Sequence, residues 1–107
     1  MPFYDLSEMP APELFPGWHG KVIHSERMTF VRWSVPAGAV LPNHSHPHEQ
    51  LAHLISGEFD LTIDGETRRI RSGSVAVIPP NAQHSGIAIT ACEFTDSFCP
   101  IREDYRK

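Results

Sequence analysis

The chain has 107 residues, of which 40% are apolar, and a formal net charge of -4. A chain of this length forms one domain with one hydrophobic core and can fold without stabilising cross-links. The acidic balance, with no block of Lys or Arg, argues against nucleic acid and anionic membranes as partners. Because no basic segment precedes an apolar run near the amino terminus and no stretch reaches membrane length, we expect a cytoplasmic protein.

The first 20 residues are a proline-rich segment. Its prolines are Pro2, Pro10, Pro12 and Pro16. Proline fixes φ and lacks a backbone N–H, so this segment cannot sustain a helix or a central strand. We predict an extended arm over residues 1–20, followed by a single β-barrel domain over residues 21–107. The arm and the exposed strand edges are candidate contacts in a homodimer.

From Lys21 onward, short runs typical of β-strands alternate with turn signals. The runs cover residues 28–35, 51–55, 59–63, 67–71, 75–78, 85–89 and 91–98. Asp64-Gly65 between two of the runs is a strong hairpin signal, since both residues tolerate positive φ. Ten prolines and seven glycines also suit a turn-rich β fold. The sequence therefore predicts an all-β protein, a small antiparallel β-barrel or jelly roll.

Histidines concentrate in the segment from His44 to Gln50, and another stands at His84 after Pro79 and Asn81. The spacing of these two blocks resembles the two metal motifs of the cupin family, whose fold is an RmlC-like jelly roll. The resemblance implies four metal ligands, which are His44, His46, Gln50 and His84. Gln50 stands where Glu is commoner and Asn81 where Gly is usual, but Asn tolerates the left-handed backbone that Gly would supply.

Strand geometry constrains how these ligands meet. On one straight strand, the even-numbered members of the run would face one side but spread over roughly 20 Å. Ligand atoms lie roughly 2 Å from a metal, so the chain must turn between His46 and Gln50, and Pro47 is a natural place for the bend. We expect His44 and His46 on one strand. Gln50 should then come from the next strand and His84 from a third.

His48 lies at this bend and is predicted to point away from the ion. A four-histidine variant of the site exists among cupins, so His48 also stays open as a ligand in place of Gln50. Three neutral imidazoles and one neutral amide would leave the full +2 charge on the ion, whereas Glu would reduce it to +1. Nitrogen-rich ligands suit one divalent transition metal ion, namely nickel, iron, zinc, manganese or cobalt, and the affinity order does not choose among them.

The last predicted strand carries a carboxylate on its more apolar face. Cys92, Phe94, Asp96 and Phe98 share that face, because side chains alternate along a strand. A buried carboxylate is costly unless it is paired, hydrogen-bonded or used. Two interpretations stay open at this point. Asp96 is either solvated or bound to an arginine at the barrel edge, or it reaches the metal cavity as a general acid/base.

The string from Asp96 to Tyr105, together with the histidine run and the block ending at His84, is similar to the KdgF family of pectin and alginate catabolism. The similarity runs from about Lys21 to the carboxyl end. It implies that cyclic 4,5-unsaturated uronates, which are small anionic sugar acids, are converted into linear 4-deoxy-5-keto uronates. It also implies three active-site residues, which are Asp96, Phe98 and Arg102.

Each implied role agrees with the chemistry of the side chain. Arg102 offers a planar guanidinium for the substrate carboxylate. Asp96 can move a proton between oxygen and carbon, and Phe98 can pack against the sugar and restrict water. Without the resemblance, Arg102 would be read as a surface ion pair with Asp104 or Glu103. Phe98 would then be an ordinary core aromatic.

Two other classes of function stay open. One is a metal-dependent cupin dioxygenase or another small-molecule lyase, since open positions on a metal ion can also activate oxygen or an acidic C–H. The other is a non-enzymatic cupin that binds a sugar acid, as small cupins do in regulators. The lack of a DNA-binding segment within the 107 residues weighs against the regulator.

Overall fold

Within residues 3–106, which the computed structural model of the protein describes, ten strands form two antiparallel sheets. The strands are β1 (Glu13–Phe15), β2 (Trp18–His24), β3 (Thr29–Val35), β4 (Val40–His44), β5 (Glu49–Ser56), β6 (Glu58–Ile63), β7 (Glu66–Arg71), β8 (Val75–Ile78), β9 (His84–Ala88) and β10 (Cys92–Cys99). The larger sheet has the order β1-β2-β3-β10-β5-β8 and the smaller one β4-β9-β6-β7. The all-β jelly roll predicted from the sequence is confirmed.

The inner faces of the two sheets meet in an aromatic core. β3 and β10 bury every second side chain, as a half-buried strand requires. Phe59 of the smaller sheet packs edge-on against Phe94 of the larger one with 5.0 Å between the ring centroids, and Trp18 lies 6.0 Å from Phe59. Burial of each large apolar side chain contributes about 2–3 kcal/mol. These rings fix the spacing between the sheets and hence the width of the cavity between them.

Gly86 allows β9 to lie directly against the core. A Cβ at this position would overlap the ring of Phe59 and the backbone of Asp60, and a close-packed interior has no room to absorb the overlap. His84 lies two residues earlier on the same strand. The close approach at Gly86 therefore also fixes the position of the His84 backbone.

The turn between β6 and β7 has the predicted form. Asp64 and Gly65 both adopt positive φ, 46° and 83°, as a two-residue hairpin with type I′ geometry requires. Each of the seven predicted strands overlaps an observed strand, and the ends agree within two residues. The sequence does not predict β1 or β2, and of β4 it predicts only that His44 lies on a strand.

β2 begins at Trp18, so the predicted boundary at residue 20 falls inside this strand. Trp18 is buried, and the missing side chain of Gly20 leaves room for the ring of Trp33. The prolines of the segment end before Trp18, which is why a central strand can start there. Pro42 argues against a strand in the sequence pattern around β4. The structure tolerates it because β4 is an edge strand of the smaller sheet.

Before β1, the chain forms a short 3-10 helix, Leu6–Glu8, whose Leu6 carbonyl accepts a hydrogen bond of 2.7 Å from Lys21 Nζ. β1 then adds to the edge of the larger sheet. Pro2, which was counted in the arm, lies outside the described residues. The division into an arm and a barrel domain stays a prediction. In residues 3–106, no helix is long and apolar enough to cross a membrane.

Candidate metal centre and adjoining cavity

Three histidines converge between the sheets. His44 ends β4, His84 begins β9, and the two are directly paired across these antiparallel strands. His46 joins them, so that one nitrogen of each ring lies within 4.8 Å of the others. A cluster of this size can hold one metal ion, and the predicted convergence of these three residues is confirmed.

The predicted turn between His46 and Gln50 is present, but it begins earlier than expected. β4 ends at His44 and β5 begins at Glu49, so His46 lies in the connecting loop. The expectation that His44 and His46 share a strand is therefore wrong. A hydrogen bond of 2.8 Å from the Asn81 N–H to the His46 carbonyl holds this loop in place. Asn81 has a positive φ of 66°, so it does adopt the left-handed backbone that Gly would supply.

Backbone carbonyls fix the tautomer of all three rings. In each ring Nδ1 lies within hydrogen-bond distance of a carbonyl oxygen two residues away. The pairs are His44 with Pro42 at 2.8 Å, His46 with His48 at 3.1 Å and His84 with Ala82 at 3.0 Å. A carbonyl only accepts, so Nδ1 carries a proton in each ring, and the neutral form of each ring keeps the lone pair on Nε2. The carbonyls therefore orient the three rings so that Nε2 is the atom that can bind a cation.

Burial keeps the rings of His46 and His84 neutral. Burial, together with the nearby Arg102, His84 and His44, lowers the pKa of His46 to about 4. Burial also lowers the pKa of His84. Near pH 7 both rings are therefore unprotonated at Nε2, the form that a metal requires.

Gln50 supplies a second sign that the residues fit a metal ion. It is buried on β5, and its Oε1 lies 3.1 Å from His46 Nε2. The Asp96 carboxylate lies beside the same amide and favours its NH₂ group on that side. His46 Nε2 and Gln50 Oε1 are then two acceptors facing each other, which is unfavourable unless a cation lies between them.

Asp96 is buried in the middle of the larger sheet. β10 lies between β3 and β5, so the interpretation of Asp96 as a solvated residue at a barrel edge is wrong. Its Oδ2 accepts a hydrogen bond of 2.9 Å from Trp33 Nε1, whereas its buried Oδ1 has no partner among the described residues. Burial raises its pKa to about 6, although Gln50, Trp33 and Arg102 oppose this rise. One oxygen of Asp96 is thus available to a ligand.

Arg102 is also buried, next to the short 3-10 helix Glu103–Tyr105. Its guanidinium carbon lies 4.7 Å from the Phe98 ring centroid and 4.2 Å from that of Tyr105. Its side chain forms the ion pair with Asp104 that the sequence offered as the alternative interpretation. The pair is present, but on a buried arginine in the cavity wall rather than on an exposed surface residue.

Phe98 and His48 complete the surroundings of the cluster. Phe98 belongs to the hydrophobic core, as the alternative interpretation held, and it also lies 5.7 Å from His46, centroid to centroid. His48 points away from the cluster, as predicted, and its Nε2–H donates to the Ile101 carbonyl at 3.0 Å. Phe98 therefore shields one side of the histidines from water.

Two connected cavities serve this site. An inner one of about 40 Å³ is lined by the imidazoles of His44 and His84 together with Gln50, Asp96 and Arg102. This volume holds an ion or a water molecule. The outer cavity of about 390 Å³ has His44 and Arg102 in common with it and is otherwise mostly apolar, and its size suits a small organic ligand.

Sequence reasoning missed three residues that shape the site. Trp33 donates to Asp96, Tyr105 packs against the guanidinium of Arg102, and Leu41 lines both cavities. Trp33 alternates with other apolar residues in a predicted strand, and a buried indole needs an acceptor, which was an available signal. Nothing in the sequence alone places Leu41 beside the histidines.

Comparisons with known proteins agree with this geometry. Residues 31–98 match the Cupin domain family. The chain is 30% identical over 101 residues to the pectin degradation protein KdgF of Dickeya dadantii (strain 3937), with 92% of each chain covered. The structure of KdgF from Halomonas sp. is similar with a TM-score of 0.90 and 28% identity, over 95% of this chain and 97% of that one. An RmlC-like cupin from Shewanella frigidimarina NCIMB 400 matches with a TM-score of 0.93 and 24% identity, over 98% and 96% of the two chains. The chain therefore belongs to the cupin family, as a small cupin of the KdgF type.

Proposed function

We propose that this protein is a metal-dependent enzyme that converts 4,5-unsaturated uronates from pectin or alginate into linear 4-deoxy-5-keto uronates. The relation to the pectin degradation protein KdgF supports this substrate class. The observation that carries the proposal is that one cavity is lined by two members of the histidine cluster, His44 and His84, by a buried carboxylate with a free oxygen, and by a buried guanidinium. An anion, a proton and a polarised oxygen can be handled there together.

His44, His46 and His84 would hold the ion, with Gln50 Oε1 as the fourth ligand. One divalent transition metal ion at this position would supply Lewis acidity to the sugar oxygens. The protein's own contribution is to turn the three rings to one point with Nδ1 as the donor to the backbone. The backbone carbonyls described above do this without any rearrangement.

Asp96 has the position for proton transfer. Ring opening breaks the bond between the anomeric carbon and the ring oxygen, and the proton of the anomeric hydroxyl passes to that oxygen, which leaves an aldehyde and an enol. The ketone forms when the enol oxygen loses a proton and the neighbouring carbon of the former double bond gains one. Asp96 Oδ1 can accept the enol proton and deliver one to the carbon, so that no net charge or redox change results. Among the described residues that line the inner cavity, only Asp96 carries a carboxyl group. Such transfer is commonly worth about 10²–10⁴ in rate.

Arg102 and Phe98 would orient the sugar. The substrate carboxylate is an anion, and the guanidinium of Arg102 lines both the inner and the outer cavity. Phe98 lines the inner cavity and packs against both this guanidinium and His46, where it would contact the part of the sugar that reaches inward and exclude water there. The outer cavity has the volume for the ring of a single uronate.

The direct test mixes the metal-loaded protein with unsaturated galacturonate in anaerobic buffer. Loss of the conjugated chromophore is followed against the spontaneous rate. We expect acceleration that disappears after chelation, because the histidine cluster is part of the site. A rate equal to the spontaneous one would refute the uronate assignment and leave the cupin fold intact.

A further inference from the structure

The guanidinium of Arg102 has two edges that can form paired hydrogen bonds, and one of them is already occupied. Its Nε donates to Asp104 Oδ1 at 3.0 Å, and its Nη2 donates to Asp104 Oδ2 at 2.7 Å. This is the side edge of the group, and the pair is bidentate. A substrate carboxylate therefore cannot use that edge while Asp104 holds it.

Two aromatic rings also pack against the guanidinium. The ring centroids of Phe98 and Tyr105 lie 4.7 and 4.2 Å from the guanidinium carbon, and the two rings are nearly perpendicular to each other. The edge that Asp104 leaves open is the end edge, formed by Nη1 and the second N–H of Nη2. Neither of the two hydrogen bonds to Asp104 uses Nη1.

Arg102 is much more buried than the carboxylate that holds it. The side chain of Arg102 is 9% exposed, whereas that of Asp104 is 58% exposed. Asp104 thus holds the guanidinium from its more exposed side, and Asp104 also lines the outer cavity. The positive charge of Arg102 lowers the pKa of both His46 and His84, so the guanidinium lies close enough to affect the metal cluster.

We propose that Asp104 is a positioning residue, which fixes Arg102 so that its end edge receives the substrate carboxylate. The inference rests on the proposed function for the identity of the substrate, and it adds how that substrate is recognised. Nη1 and Nη2 would form two parallel hydrogen bonds with the two carboxylate oxygens. The site then selects a free planar carboxylate and discriminates against its esters.

Two matched variants separate this role from a general effect of charge. Asp104→Asn keeps the size of the side chain but breaks the bidentate pair. Glu103→Gln removes one negative charge from the same 3-10 helix, and Glu103 is 74% exposed and pairs with Arg106 rather than Arg102. The two proteins therefore have equal net charge, and only one of them frees Arg102.

The measurement is the dissociation constant of galacturonate and of its methyl ester, obtained by calorimetry on the metal-loaded proteins. Wild-type protein should bind the acid more tightly than the ester. Asp104→Asn should weaken binding of the acid about tenfold, since hydrogen bonds between charged groups carry such differences, and should leave the ester unchanged. Glu103→Gln should behave as wild type, and Asp104→Glu should recover part of the loss. Equal metal content in all four proteins would show that the histidine cluster is intact.

The inference is overturned if Asp104→Asn keeps the wild-type preference for the acid, or if the wild type binds acid and ester alike or neither of them. Turnover of unsaturated galacturonate separates this inference from the proposed function. One outcome is that the wild type binds the acid more tightly than the ester and loses this preference in Asp104→Asn, yet shows no turnover. That result would refute the proposed function and support the positioning role of Asp104. With turnover, the change in Asp104→Asn should fall on KM rather than on kcat.

Discussion

The histidine cluster and the wall formed by residues 96–105 are built in opposite ways. The cluster draws on residues far apart in the chain, and the pairing of β4 with β9 brings His44 next to His84. The wall is local, since Asp96, Phe98 and Arg102 follow one another along a strand and the turn after it. Long-range sheet pairing thus supplies the candidate metal ligands, and a short contiguous string supplies the groups proposed to choose the reaction.

The largest effect should come from breaking the cluster. His84→Ala removes a buried ring from the group of three. We expect metal affinity to fall by more than about 100-fold, because mutation of residues that only hydrogen-bond to metal ligands already lowers the affinity by about 10–100-fold. Turnover should then fall to the spontaneous rate. Metal content after dialysis measures this directly. His53→Ala, an exposed histidine on β5, is the control and should retain the ion. Full metal content in His84→Ala would contradict the account.

Breaking the wall alone should leave the metal in place. Asp96→Asn keeps the shape of the buried side chain but cannot accept the proton, so turnover should fall by about 10²–10⁴. The assay is steady-state kinetics, with metal content measured on the same samples. Glu93→Gln, on the opposite face of β10, should keep wild-type rates. Wild-type turnover in Asp96→Asn would remove this residue from the mechanism.

A smaller effect should follow from loosening the support of the wall. Trp33→Phe removes the indole N–H that donates to Asp96 Oδ2. Leaving that buried oxygen without its donor should lower the free energy of unfolding by about 1–3 kcal/mol. Turnover should fall about tenfold, because the carboxylate is no longer held in place. Urea unfolding and kinetics measure the two effects.

Trp18→Phe is the matched variant, since its indole donates to the Val40 carbonyl rather than to a side chain of the wall. It should lower stability by a comparable amount and reduce turnover less. If Trp33→Phe and Trp18→Phe lowered turnover equally, the bond to Asp96 would have no special role.

The smallest effect is expected at the bend between the two regions. His48→Ala removes the hydrogen bond to the Ile101 carbonyl and should lower the free energy of unfolding by about 1 kcal/mol. Metal content should stay within about twofold of wild type, because His48 lies outside the cluster. A loss of metal as large as that in His84→Ala would make His48 a ligand.

The sequence predicts the identity of the residues in the cluster and the wall better than it predicts how the strands bring them together. Spacing and the cupin resemblance identified the histidines, and alternation along β10 put Asp96 on the buried face. The bond from Trp33 to Asp96 could not be predicted, because it depends on how β3 and β10 align, which local patterns do not fix. The extent of β4 was missed because Pro42 and the exposed side chains of this strand give no alternating pattern. His46 was assigned to a strand because the alternation of side chains was applied as if residues 44–50 were a straight strand. The position of His46 is instead set by the loop that follows His44.

The central claim is that the cluster and the wall act on one substrate. The measurement that tests it most directly is the rate of loss of unsaturated galacturonate as metal is titrated into metal-free protein. The account predicts that the acceleration rises in proportion to bound metal, saturates at one ion per chain, and is reduced at least about 100-fold at every occupancy in Asp96→Asn. Equal rates in metal-free and metal-loaded protein would contradict it.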